Sequence, residues 1–462
     1  MKRQNDLGGD PVPALVLRLT LPAMMAQLVN VLYGIIDRMF IGHIPVVGDL
    51  ALAGVGVCSP IVTFVSSFGT LVGIGGSIMM ATSMGQGNME RAKKILSNSF
   101  LLLLIFSGLL TLGLLLSKDE LILLFGGSPQ SFEYADTYLT IYVTGTFFAL
   151  LALGLNYFIS SQGFSLNAMI TVIIGAVSNI ILDALFVPGL KMGVAGAAIA
   201  TVISQMLSCA YALVFLLGRR IPVKICFKNY DIRTMLKIIG MGISPFIIIS
   251  TDSLIIIAMN VVLQKYGGES GDLLISAYTV AQSYFLLVTG PLIGISGGVQ
   301  PIISFNYGAV REERVKKTVK CALLMGVIFT AAMFAVSRLF ARDFAAFFTG
   351  SSATAETAAR GIKIFTLAVV PLAFQYVLVD ALTALGQIKT ALYLSASRKL
   401  CFLGLMILFA VFYKAEAAFY AEPAADVLGA VQSTIVFILV FRGRIKKYFA
   451  KAQSPCRAAA AA

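Results

Sequence analysis

Apolar runs of 20 to 30 residues, parted by short stretches of charge, glycine and proline, recur from one end of the chain to the other. About 20 apolar residues in helical conformation cross the hydrocarbon core of a bilayer. Each run is therefore predicted to be one transmembrane helix. Twelve fall at 14–41, 51–84, 91–116, 132–160, 165–187, 193–217, 234–264, 274–306, 314–341, 355–384, 388–412 and 416–441. The first is too long for the apolar region of a signal peptide and lacks a small-residue cleavage site, so it is expected to be retained.

Polar residues inside these runs are the exception, and two stand out. Asp37 and Asp183 each lie in an apolar run with a polar residue one turn earlier, Tyr33 and Asn179. An acid near the bilayer centre costs about 2.5 to 3.5 kcal/mol on insertion scales, so it faces a cavity or a partner and marks an ion or proton path. If spans one and five both run outward, the 1.5 Å rise per residue sets both acids at roughly 7 Å below the outer end. Thr201, on the inward-running span six, then lies roughly 12 Å down. Asp37, Tyr33, Asn179, Asp183 and Thr201 can thus form one cluster, with Asn156 deeper. Two close carboxyls can load and release a proton. The same oxygens, with Asn179 and Thr201, could instead bind sodium. The competing reading is that each acid merely ends its helix at the outer interface.

Composition agrees with the pattern: 58% of the 462 residues are hydrophobic, 12% are charged, and mean hydropathy is +0.90, outside the range of a water-soluble protein. The net charge of +13 invites a nucleic-acid reading, but the basic residues sit in short connections without an aromatic-interleaved basic domain. Lys and Arg concentrate in alternate connections: Arg91 to Lys94, Arg219 to Lys237, Arg311 to Lys320 and Arg442 to Lys447. By the positive-inside rule these connections and both termini are cytoplasmic. Six scattered cysteines support neither a disulfide framework nor a metal cluster. No Walker A sequence or helical His-Glu-x-x-His is present, so no cofactor or enzymatic activity is expected.

The two halves repeat at a spacing of 221 to 223 residues. Leu71-x-Gly73-Ile74-x-Gly76 returns as Leu292-x-Gly294-Ile295-x-Gly297, Ser83-x-x-x-Gly87 as Ser304-x-x-x-Gly308, and Lys93-Lys94 as Lys316-Lys317; Pro22 matches Pro245 and Gly163 matches Gly386. Six spans per half give parallel repeats related by an axis along the membrane normal. The expected organisation is an N-terminal lobe at 1–218, a cytoplasmic linker at 219–233, a C-terminal lobe at 234–446 and a tail or engineered scar at 447–462. Asn260 and Met406, at the positions of Asp37 and Asp183 in the second half, carry no acid, so only the first lobe is expected to titrate there.

Weaker candidates lie in the second half. Asp252 and Asp426 fall near mid-membrane with Arg398 as their expected ion-pair partner, in a network that is more readily structural than functional. Asp380 reads as a solvated acid near the cytoplasmic end, and His43 as a surface imidazole.

The chain resembles the multidrug and toxic compound extrusion (MATE) family over nearly its full length. The residues that carry the resemblance are Leu21-Pro22 with Tyr33-x-x-x-Asp37-x-x-Phe40-Ile41-Gly42, then Asn179-Ile-Ile-Leu-Asp183 and Gly193-x-x-Gly196-Ala197-Ala198-x-Ala200-Thr201. The second half adds Gln300-Pro301-Ile302-Ile303-Ser304-Phe305-Asn306-Tyr307-Gly308 and Ala421-Glu422-Pro423-x-Ala425-Asp426. The acidic Asn-x-x-x-Asp of span five looks like the DinF-related branch. The resemblance implies an all-α membrane protein of twelve helices in two six-helix lobes with pseudo-twofold symmetry. It also implies a monomeric inner-membrane antiporter for amphipathic, often cationic organic compounds. The coupling ion would be a proton, with sodium as the alternative, bound by Asp37, Asn179, Asp183 and Thr201 and supported by Tyr33 and Asn156; Pro22 would be a point of helix bending. A dedicated exporter of one metabolite or peptide and a lipid-precursor flippase are the alternative readings, although a flippase predicts a cationic cavity. Arg38, beside the key acid, departs from the family pattern.

Overall fold

The computed structural model describes residues 5–42, 44, 47–125, 131–218, 221–348 and 352–453, and among these no strand occurs. The helices are α1 (Val12–Gly42), α2 (Gly48–Gly85), α3 (Met89–Leu124), α4 (Phe132–Thr144), α5 (Thr146–Ser161), α6 (Ser165–Ala184), α7 (Gly193–Leu217) and α8 (Ile232–Gly267). They continue as α9 (Gly271–Gly308), α10 (Glu312–Phe348), α11 (Ser352–Phe365), α12 (Val369–Ala384), α13 (Ile388–Tyr413), α14 (Ala421–Val440) and α15 (Lys446–Gln453). Eleven stretches among the described residues are long and apolar enough to cross a membrane, and a bent pair, α4 with α5, brings the number to twelve.

The fourth predicted span is thus not straight: α4 and α5 meet at 57°. Gly145 makes the corner, and a Cβ there would stand 2.5 Å from Val202 Cγ2, so α7 packs against bare backbone at the bend. The tenth span is likewise two helices, α11 and α12, joined by a 3-10 turn at Thr366–Ala368. On the outward face of α3, Leu109, Leu112, Leu116 and Leu124 are 60 to 80% exposed and recur at helical spacing, a stripe suited to acyl chains.

The chain forms two compact units. The first contains Met1–Asp6 and Met25–Ser250, the second Leu7–Met24 and Thr251–Ala462. Helix α1 changes unit just after Pro22, and α8 just after Pro245. Small residues permit both arrangements. In the first unit, α8 lies so close to α2 that a Cβ on Gly242 would fall 1.8 Å from the Leu71 carbonyl oxygen, and one on Gly75 would fall 2.3 Å from that of Ile238. In the second unit, Gly294 and Gly298 of α9 give the same access to α1, where Met24 Cα and Thr20 Cα stand 2.6 and 2.9 Å from the added carbons. Close approach at glycine is how helices associate where lipid offers no hydrophobic contrast.

Each repeat also holds a segment of chain against its α-helical hairpin. In the first unit, Asn98 accepts from the Asp231 backbone N–H and donates to the Asn229 carbonyl, while Lys94 pairs with Asp231 at 3.0 Å. In the second, Asn306 donates to the Leu7 carbonyl and Arg314 to the carbonyls of Leu7 and Asp10. The turns behind these anchors differ in one respect from the repeat. The left-handed residue is Gly87 in the first (φ 77°) but Val310, not Gly308, in the second (φ 57°), and a β-branched residue seldom occupies that region. His43, Arg219, Arg220 and the tail from 454 onward lie outside the described residues.

Candidate functional site

Four helices of the first unit each carry a polar pair one turn apart, and the fold brings them together. Helix α1 supplies Tyr33 and Asp37, α6 Asn179 and Asp183, α7 Thr201 and Gln205, and α4 Tyr138 and Tyr142. Asp183 and Asn179 are wholly enclosed, with Thr201 and Asp37 at 4% and 8% exposure, which no isolated acid in lipid would tolerate without a purpose. The Asn179 amide donates to the Thr201 hydroxyl at 3.4 Å. The carboxyls of Asp37 and Asp183 face one another as direct neighbours. Tyr33 lies in the field of both acids and of Tyr142. Tyr142 lies beside Ser66 and Gln205, and stacks on Tyr138 with ring centroids 6.2 Å apart.

The hydrogen-bond inventory of this cluster is one-sided. Asp37 Oδ1, both Asp183 oxygens, Asn179 Oδ1 and Gln205 Oε1 are buried with no partner, and every one of them is an acceptor. Two ionised carboxylates cannot satisfy each other, because neither has a hydrogen to give. A proton on one of them, or a cation among them, supplies what is missing. Arg38 is exposed and acts on Asp37 only through its field. Among the described residues no group of three or more His, Cys, Asp or Glu is arranged to hold a metal, so a sodium ion would depend on the mixed carboxylate, amide and hydroxyl set.

Asn156 stands apart. It is half-buried on α5, and its Oδ1 has no partner, but no hydrogen bond joins it to the Asp37 and Asp183 cluster. Tyr138, Tyr142 and Gln205 are absent from the sequence-derived set. The available signal was the shared spacing, since Tyr138-x-x-x-Tyr142 and Thr201-x-x-x-Gln205 repeat the pattern of Tyr33 with Asp37 and Asn179 with Asp183.

The second unit distributes its charges differently from expectation. Arg398 does pair with Asp426, at 2.8 Å, but its other partner is Glu422 at 3.2 Å. Asp252 is held by Lys399 at 2.7 Å instead. Adjacent residues on a helix point about 100° apart, so Arg398 and Lys399 reach different neighbours. Asp380 is partly exposed and lies beside the buried side chains of Ser296 and Gln300. Met406, in the place of Asp183, is sealed in the apolar core, and Asn260, in the place of Asp37, has a buried Oδ1 without a partner.

Comparison with known proteins identifies the family and the fold. The family described as MatE matches residues 22–185 and 245–412, two segments that begin at the matched prolines Pro22 and Pro245. The Multidrug export protein MepA of Staphylococcus aureus (strain MRSA252) is 22% identical over 442 residues, covering 93% of this chain and 94% of its own. The protein of the same description from Staphylococcus haemolyticus (strain JCSC1435) is 26% identical over 324 residues, covering 69% of this chain and 70% of its own. Among solved structures, the outward-facing conformation of a multidrug resistance MATE family transporter of the MOP superfamily superposes with a TM-score of 0.89 at 22% identity, over 97% of this chain and 99% of that one.

Proposed function

Because the chain belongs to the MatE family, a family of membrane transporters and not of enzymes, we propose that it exports amphipathic, often cationic organic compounds in exchange for a cation, in the first instance a proton. The observation that carries this reading is the set of enclosed acceptor oxygens on Asp37, Asn179, Asp183 and Gln205, which lack a donor. The curated relatives described as multidrug export proteins support the substrate class.

In this reading a proton entering from outside binds the Asp37 and Asp183 pair and removes the negative charge that attracts a cationic substrate. Proton and substrate then compete, so each weakens the other by the same factor. Apolar walls with a few acids suit amphipathic cations of varied shape. Alternating access moves the site between the two faces of the membrane, and Pro22 is where α1 would bend, since its missing N–H leaves the Arg18 carbonyl without a helical partner. Both termini and the basic connections lie on the cytoplasmic side.

Purified protein in liposomes, given proton and sodium gradients separately, tests this. Export should follow the proton gradient and be lost in Asp37→Asn and Asp183→Asn. Flux that follows only sodium would replace the ion but keep the site; unchanged ion-driven flux in both variants would remove the site from coupling.

A further inference from the structure

The second unit contains a charge imbalance that the first-unit site does not use. On α14, Glu422 and Asp426 sit one turn apart, and Arg398 of α13 donates to both. Lys399 donates to Asp252 at 2.7 Å and to the Thr251 hydroxyl at 2.9 Å. Asp252 and Lys399 also lie within the field of Glu422, and the remaining groups that face the pair are phenols, Tyr376 of α12 and Tyr278 of α9. Asp252 with Lys399 is neutral as it stands. Arg398 with Glu422 and Asp426 is not, because one guanidinium meets two carboxyls.

The Lys399 charge reaches Glu422 but is matched by Asp252, so one negative charge remains over the five groups. Asp426 is wholly enclosed, and the Arg398 and Glu422 side chains are only 17% and 12% exposed. Asp426 Oδ1 takes the guanidinium, while Asp426 Oδ2 is buried without any partner. A metal cation is disfavoured beside Arg398, which leaves the smallest positive charge as the remedy.

We propose that Glu422 and Asp426 hold one proton between them, with Asp426 Oδ2 as its seat, so that the second unit has a proton-binding site separate from Asp37 and Asp183. The step is a simple transfer: an O–H bond forms on a carboxyl oxygen as one breaks in hydronium, and water leaves. Arg398 is a positioning residue that makes one proton sufficient for two acids. The assignment is independent of export and of the ion used by the first unit.

Infrared difference spectroscopy on the purified full chain, titrated with pH, reads protonated carboxyls directly. In an Asp37→Asn/Asp183→Asn background, a titrating carboxyl band should remain and survive Asp380→Asn. It should vanish when either Glu422→Gln or Asp426→Asn is added, because each leaves Arg398 matched to a single carboxylate. Melting provides the second readout: both single variants should unfold at or above the parent temperature, whereas Arg398→Met, which leaves two acids uncompensated, should unfold well below it. A band that persists in both single variants overturns the assignment. So does a fall in melting temperature on each single substitution, the signature of a fully ionised structural triad.

Discussion

Two glycines of α8, separated by one residue, should respond in opposite directions to the same added methyl group. Gly242 faces α2, where a Cβ would fall 1.8 Å from the Leu71 carbonyl oxygen and 2.6 Å from its carbonyl carbon. Gly240 is exposed and its Cβ would meet nothing within 4 Å. Both changes to alanine gain intrinsic helix propensity, up to about 1 kcal/mol in an exposed position. At Gly242 that gain is overwhelmed. Real contacts to Cβ do not approach below 3.0 Å, and the obstruction is main chain, so no rotamer relieves it and α8 must retreat by more than an ångström along the shared face. A gap of about 0.5 to 1 Å already forfeits a quarter to a half of each dispersion contact, and overpacking of this kind costs about 1 to 3 kcal/mol.

The expected result is that Gly240→Ala melts at or slightly above the parent in detergent and Gly242→Ala melts below it. The propensity gain is common to both, so the two should differ by about 1 to 3 kcal/mol in apparent stability. Scanning fluorimetry on matched preparations checks the order. If Gly242→Ala melts with or above Gly240→Ala, the placement of residues 232–250 against α2 is wrong, and with it the division of α8 at Ser250.

Three further outcomes follow from other parts of the structure. Gln205→Leu removes the amide that meets Tyr142, so the apparent affinity for the coupling ion should fall by about fivefold, the worth of one hydrogen bond of about 1 kcal/mol, when export is measured against ion concentration. The Asp231 carboxyl is held below its ordinary value of 3.8 by the Thr234 hydroxyl and then by Lys94. Its stabilising effect is complete above that value and fades only as pH falls through the lower folded one. Amide exchange at Asp231, whose N–H is bound by Asn98, should therefore be independent of pH near neutrality after correction for intrinsic rates, and rise several-fold in Lys94→Met. Cys226 is exposed in the linker, while Cys58 and Cys209 are buried. A membrane-impermeant maleimide should label Cys226 from the cytoplasmic face alone, and labelling from the outer face would invert the topology.

The twelve spans are legible in the chain because lipid imposes a length and a polarity on every helix that crosses it. The bend at Gly145 is not, because nothing distinguishes that glycine from the other 41 until Val202 of a different helix is seen against it. The acids of the site are legible for the same reason as the spans: a buried charge is rare enough in an apolar run to be noticed singly. Tyr138, Tyr142 and Gln205 are common enough in membrane helices to escape notice, and only their convergence on α1 and α6 gives them meaning. The partner of Asp252 depends on rotation about the α13 axis, which separates Arg398 from Lys399 although they adjoin in the chain.

The repeats have diverged in the way they accommodate polar groups more than in the way they pack. Both use glycine to admit a helix that changes unit near a matched proline, and both secure the segment ahead of that helix with an asparagine, Asn98 in one and Asn306 in the other. At the positions of Asp37 and Asp183, however, the second repeat has Asn260 and the sealed Met406. Its acids have moved to α14 and acquired bases on α13. No base is hydrogen-bonded to Asp37 or Asp183, which suits the ion exchange proposed for that pair. In the second unit a carboxyl that gives up its proton does so against Arg398, which holds the remaining negative charge in place. If both proposed sites take protons, the duplicated scaffold responds twice to one gradient with sites of different resistance, and substitution at Arg398 should alter the second response while leaving Asp37 and Asp183 in contact.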